Sequence, residues 1–377
     1  MKNKLLSLLI LLTASFALKS QSNGTRPDSD KVITGSYIKR IIPVLANDNA
    51  VSGKNYKLFS VFYSSTSSSS KILIGVQGDS ATFEDKQINT GLDTFFYIAQ
   101  DLNTSTFDTN YVVITHDNLS LDLYPGDANK DNLCNNIDVL NIGIAFGKSQ
   151  IIREGVYLTN DWVPVRAYDW SQSNNKSNYR YSDANGDGIV DSIGDVGTIY
   201  KNYNRTSSIT NVTYSPSGGS NFEIITLDTF KVASPNSSFQ IKINLGTTTT
   251  VISRAYGIAF TFKYDTSLIK ATNISFKASK WFADQQLTLN FFKVNEQTGE
   301  VDLTIVRKSG TNDNGFGELG VVDVVIDDIL DRFGGAVNTN FEIQKAVLID
   351  SIYNLLPVNL ATPKPVHLVK KVARDRK

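Results

Sequence analysis

The sequence predicts a mainly β, multidomain chain: two β-sandwiches joined by a small α-helical lobe. Three observations predict it. The chain has 377 residues, more than one ordinary domain holds. Two long stretches, 29–119 and 221–362, alternate apolar and polar residues in short runs between Ser-, Thr-, Asn- and Gly-rich turns, as strands do. Between them, 127-DANKDNLCNNIDVL-140 and 183-DANGDGIVDSIGDV-196 are near copies, each with Asp, Asn and Asp at alternate positions ahead of an apolar run.

Composition removes several classes of function. Lys plus Arg and Asp plus Glu number 37 each, so the basic footprint of a nucleic-acid binder is missing. A single Cys, Cys134, cannot form an internal disulfide. His116 and His367 are the only histidines, too few for a His-rich zinc site and poor material for a Ser-His-Asp or Cys-His centre. A carboxylate pair for glycoside hydrolysis is compatible with composition, but the modules leave no room for a separate catalytic domain. No catalytic residue is assigned, and the chain is not expected to be an enzyme.

Residues 1–21, MKNKLLSLLILLTASFALKSQ, read as a secretory signal peptide: Lys2 and Lys4 precede an apolar run from Leu5 to Leu12 that is too short to span a bilayer. No later segment is long and apolar enough to span. The expected location is secreted, extracellular or on a bacterial cell surface.

Residues 29–119 carry strand-like runs at Val32–Ile33, Ile38–Leu45, Leu58–Tyr63, Ile72–Val76, Phe95–Ile98 and Tyr111–Thr115, a small β-sandwich. Here 43-PVLANDN-49 and 91-GLDTFFYIAQDLNTSTFDTNYVVIT-115 resemble the bacterial cadherin-like, immunoglobulin-fold repeat. Gly91, Asp93, Phe95, Tyr97 and Asp101 carry the likeness. The calcium sites of cadherin arrays are not evident in this stretch.

Residues 120–206 hold the repeated motif. Calcium takes six to eight oxygens, and a short loop supplies most of them when oxygen-bearing side chains recur at every second residue. The EF-hand register uses side chains at positions 1, 3 and 5, a carbonyl at 7, a residue at 9 and an acid at 12. The first stretch fits throughout, with Asp127, Asn129, Asp131, the Leu133 carbonyl, Asn135 and Asp138, and Asn132 at the sharp turn. The second fits through Asp183, Asn185, Asp187, the Ile189 carbonyl and Asp191, with Gly188 at the turn. Its twelfth residue is Gly194, and the acid Asp195 comes one later, so either Asp191 or Asp195 closes that site. A helix is expected at 137–146. Paired loops of this kind usually exchange a short bridge, which predicts Cys134 beside Val190, with the thiol as a small buried hydrophobe.

Two such loops, each followed by one short helix, resemble a dockerin, a module that binds cohesins. The resemblance implies Ca2+ as the bound ion and a cohesin-like protein as partner. The chain departs from the family in two ways. Its loops begin 56 residues apart, separated by an insert at 148–182, and Asn136-Ile137 and Ser192-Ile193 stand where a Ser-Thr recognition pair is familiar. The insert carries Tyr157, Trp162, Tyr168 and Trp170, which either pack the insert or stack on sugar rings.

A polar linker at 207–220 leads into 221–362. Phe239, Ile241, Ile243 and Leu245 alternate along one strand, and Tyr256, Ile258, Phe260 and Phe262 along another, so one face of each should enter a core. A hairpin is expected at 295-NEQTGE-300, with later strands at Val321–Ile329 and Phe341–Ile349. The stretches 255-AYGIAFTFKYDTSLIKATNISF-276 and 315-GFGELGVVDVVI-326 resemble the cohesin β-sandwich. Residues 363–377 read as a basic, solvated tail.

Together these readings describe a non-catalytic, calcium-stabilised modular protein for adhesion, scaffolding or complex assembly. Its partner would be another protein or its own cohesin-like module. The alternative is a dockerin- or cohesin-type component of extracellular polysaccharide degradation that binds carbohydrate.

Overall fold

The structure is a computed structural model that describes residues 25–48, 54–63, 72–85, 88, 90–207, 223–224, 238–279, 288–308, 311–325, 336–360 and 364–369. The signal segment 1–21, nearly all of the linker 207–220 and residues 370–377 of the tail lie outside the described residues. The chain is mainly β and divides into two compact units: the first runs to Leu121 and takes in Arg153–Leu158, and the second holds Asp122–Ile152 and the chain from Thr159 onward.

The first unit contains strands β1 (Asp28–Ile33), β2 (Lys39–Ile42), β3 (Tyr56–Tyr63), β4 (Ile72–Gln77), β5 (Ser80–Asp85), β6 (Gly91–Asp101) and β7 (Phe107–Asp117). They form a four-stranded sheet, β1-β7-β6-β3, and a three-stranded sheet, β2-β5-β4. The β1–β7 pair is parallel, whereas β6 pairs antiparallel with both β7 and β3. Alternate residues of both sheets, Phe83, Phe95, Tyr97, Val112 and Ile114 among them, share one core. Strand β5 was not expected from the sequence. Its signal was Gly78-Asp79, a two-residue turn with Gly78 at φ +60° that sets Gln77 opposite Ser80.

The second unit begins with two short helices, α1 (Asp138–Ala145) and α2 (Gly194–Asn202). The expected 137–146 helix agrees with α1 to within one residue at each end. The strands that follow are β8 (Glu223–Ile224), β9 (Ser238–Leu245), β10 (Ile252–Ala255), β11 (Gly257–Lys263), β12 (Ile274–Ala278), β13 (Thr288–Asn295), β14 (Glu300–Arg307), β15 (Asp313–Gly315), β16 (Gly317–Val325), β17 (Ala336–Ile349), β18 (Leu355–Leu356), β19 (Asn359–Leu360) and β20 (Lys364–Val369). One sheet runs β13-β14-β11-β17-β18 with β20 also on β17, and the other runs β12-β16-β9-β8-β19. The expected hairpin is present, with Asn295 opposite Glu300.

Ile241, Ile243, Leu245, Ile258, Phe260, Phe262, Leu303 and Ile305 fill the core between these sheets. Tyr256 does not continue that face. It precedes β11 and packs in a second cluster with the helices. The start of the expected tail is also structured: β20 pairs along β17, and Val366 is buried in the core, so the period-2 pattern of 364-KPVHLV-369 outweighs its basic character.

Candidate metal centre and docking face

The two acidic loops fold alike. In the first, Asp127 is a turn-builder: the Asp131 amide donates to its Oδ1 at 2.9 Å and the Asn132 amide to its Oδ2 at 3.0 Å. In the second, Asp183 receives the Gly186 amide at 3.0 Å and the Gly188 amide at 3.2 Å. Asn132 (φ +71°) and Gly188 (φ +86°) both take the left-handed conformation that the sharp turn requires. Asp131 accepts from the Leu133 amide at 2.9 Å, and Asp187 from the Ile189 amide at 3.0 Å.

The carboxylate of the second loop that matches Asp138 follows from the same comparison. Asp138 Oδ1 accepts from the Asn129 amide at 3.0 Å and its Oδ2 from the Asn135 amide at 2.8 Å. Asp195 makes the equivalent pair, with the Asn185 amide at 3.2 Å and the Asp191 amide at 2.6 Å. Asp195 therefore stands where Asp138 stands, and the extra residue is absorbed just before α2. Asn135 and Asp191 instead turn to the helix starts, accepting from the Ile137 amide at 2.7 Å and from the Gly194 amide at 2.7 Å.

Charge is concentrated in the first loop and poorly compensated. Asp127, Asn129, Asp131 and Asp138 are all buried, Asp138 completely. Burial and the Asp131 carboxylate push Asp127 up to about 7. Burial, reinforced by Asp131 and Asp127, holds Asp138 well above the usual carboxylate range. In the second loop burial pushes Asp195 up to about 8, while Asp187 is exposed.

Asp131 Oδ2 is buried and makes no hydrogen bond. Among the described residues, no three His, Cys, Asp or Glu side chains converge as a closed metal cage; the carboxylates are turned to backbone amides. Mutually repelling, desolvated oxygens with an orphaned acceptor among them are the donor set a hard cation satisfies, so the residues of the first loop fit one.

The expected Cys134–Val190 bridge does not form. Each loop instead pairs with the chain that follows the other helix. Cys134 donates to Arg205 O at 3.0 Å and accepts from the Asn204 amide at 2.8 Å, while Val190 donates to Lys148 O and accepts from the Gly147 amide, both at 2.9 Å. The cause is the short helices, which return the chain beside the opposite loop. Cys134 is nevertheless fully buried, in the same cluster as Val190, and burial pushes its thiol far up.

The insert aromatics pack as well. Trp170 is buried, Trp162 lies against Tyr124 at 5.1 Å between ring centroids, and Tyr157 donates to Thr34 O at 2.9 Å inside the first unit.

Within the second unit, the loop-and-helix lobe covers the outer face of the β13-β14-β11-β17 sheet. Alternation divides each strand between two partners: Leu303 and Ile305 enter the core, whereas Thr304 and Val306 face the lobe. Asn136 Nδ2 donates to Phe260 O at 3.2 Å and Leu303 O at 3.0 Å, and Thr304 Oγ1 donates back to Asn136 O at 2.6 Å. Helix α1 lies on β14, β11 and β13. A Cβ on Gly143 would fall 2.3 Å from Val306 Cγ2, so only glycine admits this approach.

Helix α2 adds Tyr200, stacked on Phe291 at 4.4 Å, and the chain just beyond it adds Tyr203, whose hydroxyl donates to Asp302 Oδ2 at 2.6 Å. The pairs Asn136-Ile137 and Ser192-Ile193 differ in their surroundings: Asn136 is 5% exposed and Ile137 7%, whereas Ile193 is 86% exposed.

No family model and no curated protein matches the chain. Solved structures similar to it are cohesin modules. One is from a type I cohesin–dockerin complex of Clostridium thermocellum (12% identity, TM-score 0.35, 42% of this chain and 99% of that chain covered). Another is a type II cohesin of Acetivibrio cellulolyticus (13%, 0.30, 39% and 94%). A third is the cohesin module of a Clostridium perfringens family 33 glycoside hydrolase (13%, 0.30, 40% and 96%). Among the described residues no helix is long and apolar enough to cross a membrane.

Proposed function

We propose that this chain is an exported, non-catalytic assembly protein in which a calcium-stapled, dockerin-like lobe is docked on a cohesin-like sheet of the same chain. The observation that carries the reading is the reciprocal contact at Asn136. The residue at the recognition position of the first loop donates to two strand carbonyls and accepts from Thr304. A turn residue in an ordinary connecting segment has no reason to be buried there.

In this reading Asp127, Asn129, Asp131, the Leu133 carbonyl and Asp138 hold one Ca2+, with Asn135 at the helix start. Asp183, Asn185, Asp187, the Ile189 carbonyl and Asp195 hold the second, with Asp191 in the place of Asn135. The metal supplies the positive charge that lets buried carboxylates remain ionised, and with it folding energy for the two loops that carry them. The first unit, with its cadherin-like residues, serves as a spacer or adhesive module on the exported chain.

The test is calorimetric titration of the whole chain with calcium. The wild type should take up two ions, and Asp127→Ala and Asp183→Ala one each. Saturation at a hundred times Kd should stabilise the lobe by about 2.7 kcal/mol. No calcium uptake at millimolar concentration would reject the reading.

A further inference from the structure

One turn of the sandwich sends a side chain into the cluster that joins the lobe to the sheet. Strand β17 ends at Ile349, and the next five residues form a tight turn around the fully buried Asp350. Asp350 Oδ1 accepts from the Ile352 amide at 3.0 Å and the Asn354 amide at 2.8 Å, while its Oδ2 takes Asn354 Nδ2 at 2.9 Å and Arg254 Nη2 at 2.6 Å. The turn holds Tyr353 at φ +67°, a left-handed conformation that a bulky residue keeps only where its surroundings enforce it. The lobe grips the same turn, with the Asn175 amide donating to Ile352 O at 3.1 Å and Asn175 Nδ2 to Asn354 Oδ1 at 2.8 Å.

So placed, Tyr353 lies in the cluster shared by the lobe and the sheet, which also holds Ala128, Cys134 and Val139. It is 5% exposed, and its hydroxyl is buried without a hydrogen bond of ordinary geometry. Burial pushes the Tyr353 phenol far above the usual tyrosine range, and the carboxylates of Asp138, Asp131 and Asp127 add to the rise, while the Asn129 side chain opposes it. A strained, doubly gripped turn that buries a phenol among the oxygens of one loop is more than packing requires, since phenylalanine would fill the same volume without an orphaned donor.

We propose that Tyr353 completes the first cation site, acting as a positioning residue through Asn129, so that metal uptake by that loop and docking of the lobe on the sheet are one coupled event. The inference rests on the calcium reading above. With a cation held at the first loop, the Asn129 carbonyl would be one of its oxygens and the Tyr353 phenol would donate to that same oxygen, orienting the amide and satisfying the orphaned hydroxyl. Coupling is reciprocal: whatever factor docking adds to affinity at this loop, the ion returns to docking.

The second loop is an internal control. It is covered by the lobe's own chain, with the Gln150 amide donating to Gly188 O and Ile152 beside Gly188, and should not depend on Tyr353.

Calcium titrations of the full chain would compare wild type, Tyr353→Phe and Asn175→Ala. Tyr353→Phe should weaken the first site about tenfold and leave the second unchanged, as loss of an outer-shell partner does. Asn175→Ala, an exposed change that loosens the turn without touching either loop, should weaken the first site by a smaller factor. It also decides the matter if Tyr353→Phe does not fold. Wild type binding two ions, with an unaltered first site in the variants that fold, would overturn the coupling and leave the calcium reading standing. A wild type that binds none would overturn both.

Discussion

At the scale of single residues, the first unit contains a titratable contact with a definite sign. His116 on β7 is buried between Asp93 on β6, at 2.8 Å from Nε2, and Asp85 at the end of β5, at 3.5 Å from Nδ1, so one ring ties the two sheets together. Burial lowers its affinity for a proton, but the two carboxylates more than reverse this, and the net shift is upward. A raised folded value means that the contribution to stability is complete below the unfolded value of about 6.5 and is lost as pH rises through the folded one. Denaturation of the first unit should therefore need less urea as pH rises from about 6.5, and His116→Gln should remove that dependence. An unchanged pH profile in His116→Gln would place the titration elsewhere. The scarcity of histidine was plain in the sequence, but this pairing was not, because Asp85 lies on the strand the sequence reading missed.

At the scale of elements, α1 depends on what it lies against. In an isolated helix, Gly→Ala gains about 1 kcal/mol. At Gly143 the sign should reverse, because the added methyl would fall 2.3 Å from Val306 Cγ2 and 2.9 Å from its Cβ. We expect Gly143→Ala to cost about 1–3 kcal/mol by overpacking and to speed amide exchange along β14. Val306→Ala in the same chain should recover part of the loss, and a strictly additive double mutant would contradict the contact.

The elements themselves were largely legible. Spacing of Asp and Asn located both loops and both helices, and alternation located most strands. What covers the outer face of the β11 sheet was not. The hint lay in β11, whose run 257-GIAFTF-262 is buried at every position, as in sheets covered on both sides. A strand with one solvated face alternates more cleanly. That Asp195 and not Asp191 takes the hydrogen bonds equivalent to those of Asp138 was likewise beyond the sequence, since it depends on which carboxylate receives the Asn185 amide.

At the scale of the molecule, the docked lobe occupies a surface that would otherwise be open. Roughly fifteen residues separate Ser207 from Glu223, a tether of about 50 Å when extended. Such a tether keeps the lobe at millimolar effective concentration near its own sheet, so docking within the chain should prevail over docking between chains. Chelation should release the lobe and expose Leu289, Phe291, Val306 and Val347. Gel filtration should then show a larger, self-associating species, with the monomer recovered when calcium is restored at low protein concentration. An elution position indifferent to chelator would count against calcium-dependent docking.

The crossed pairing of the lobe also bears on how the chain carries load. The segment ahead of the first loop is tied to the end of α2, and the first loop to the chain beyond it: Asn202 Nδ2 donates to Pro125 O at 2.8 Å, and the Cys134 amide to Arg205 O at 3.0 Å. A pull applied along the backbone would reach these ties before it reached the second acidic loop. The lobe then behaves as a buckle, whose clasp must part before any tension falls on the second acidic loop.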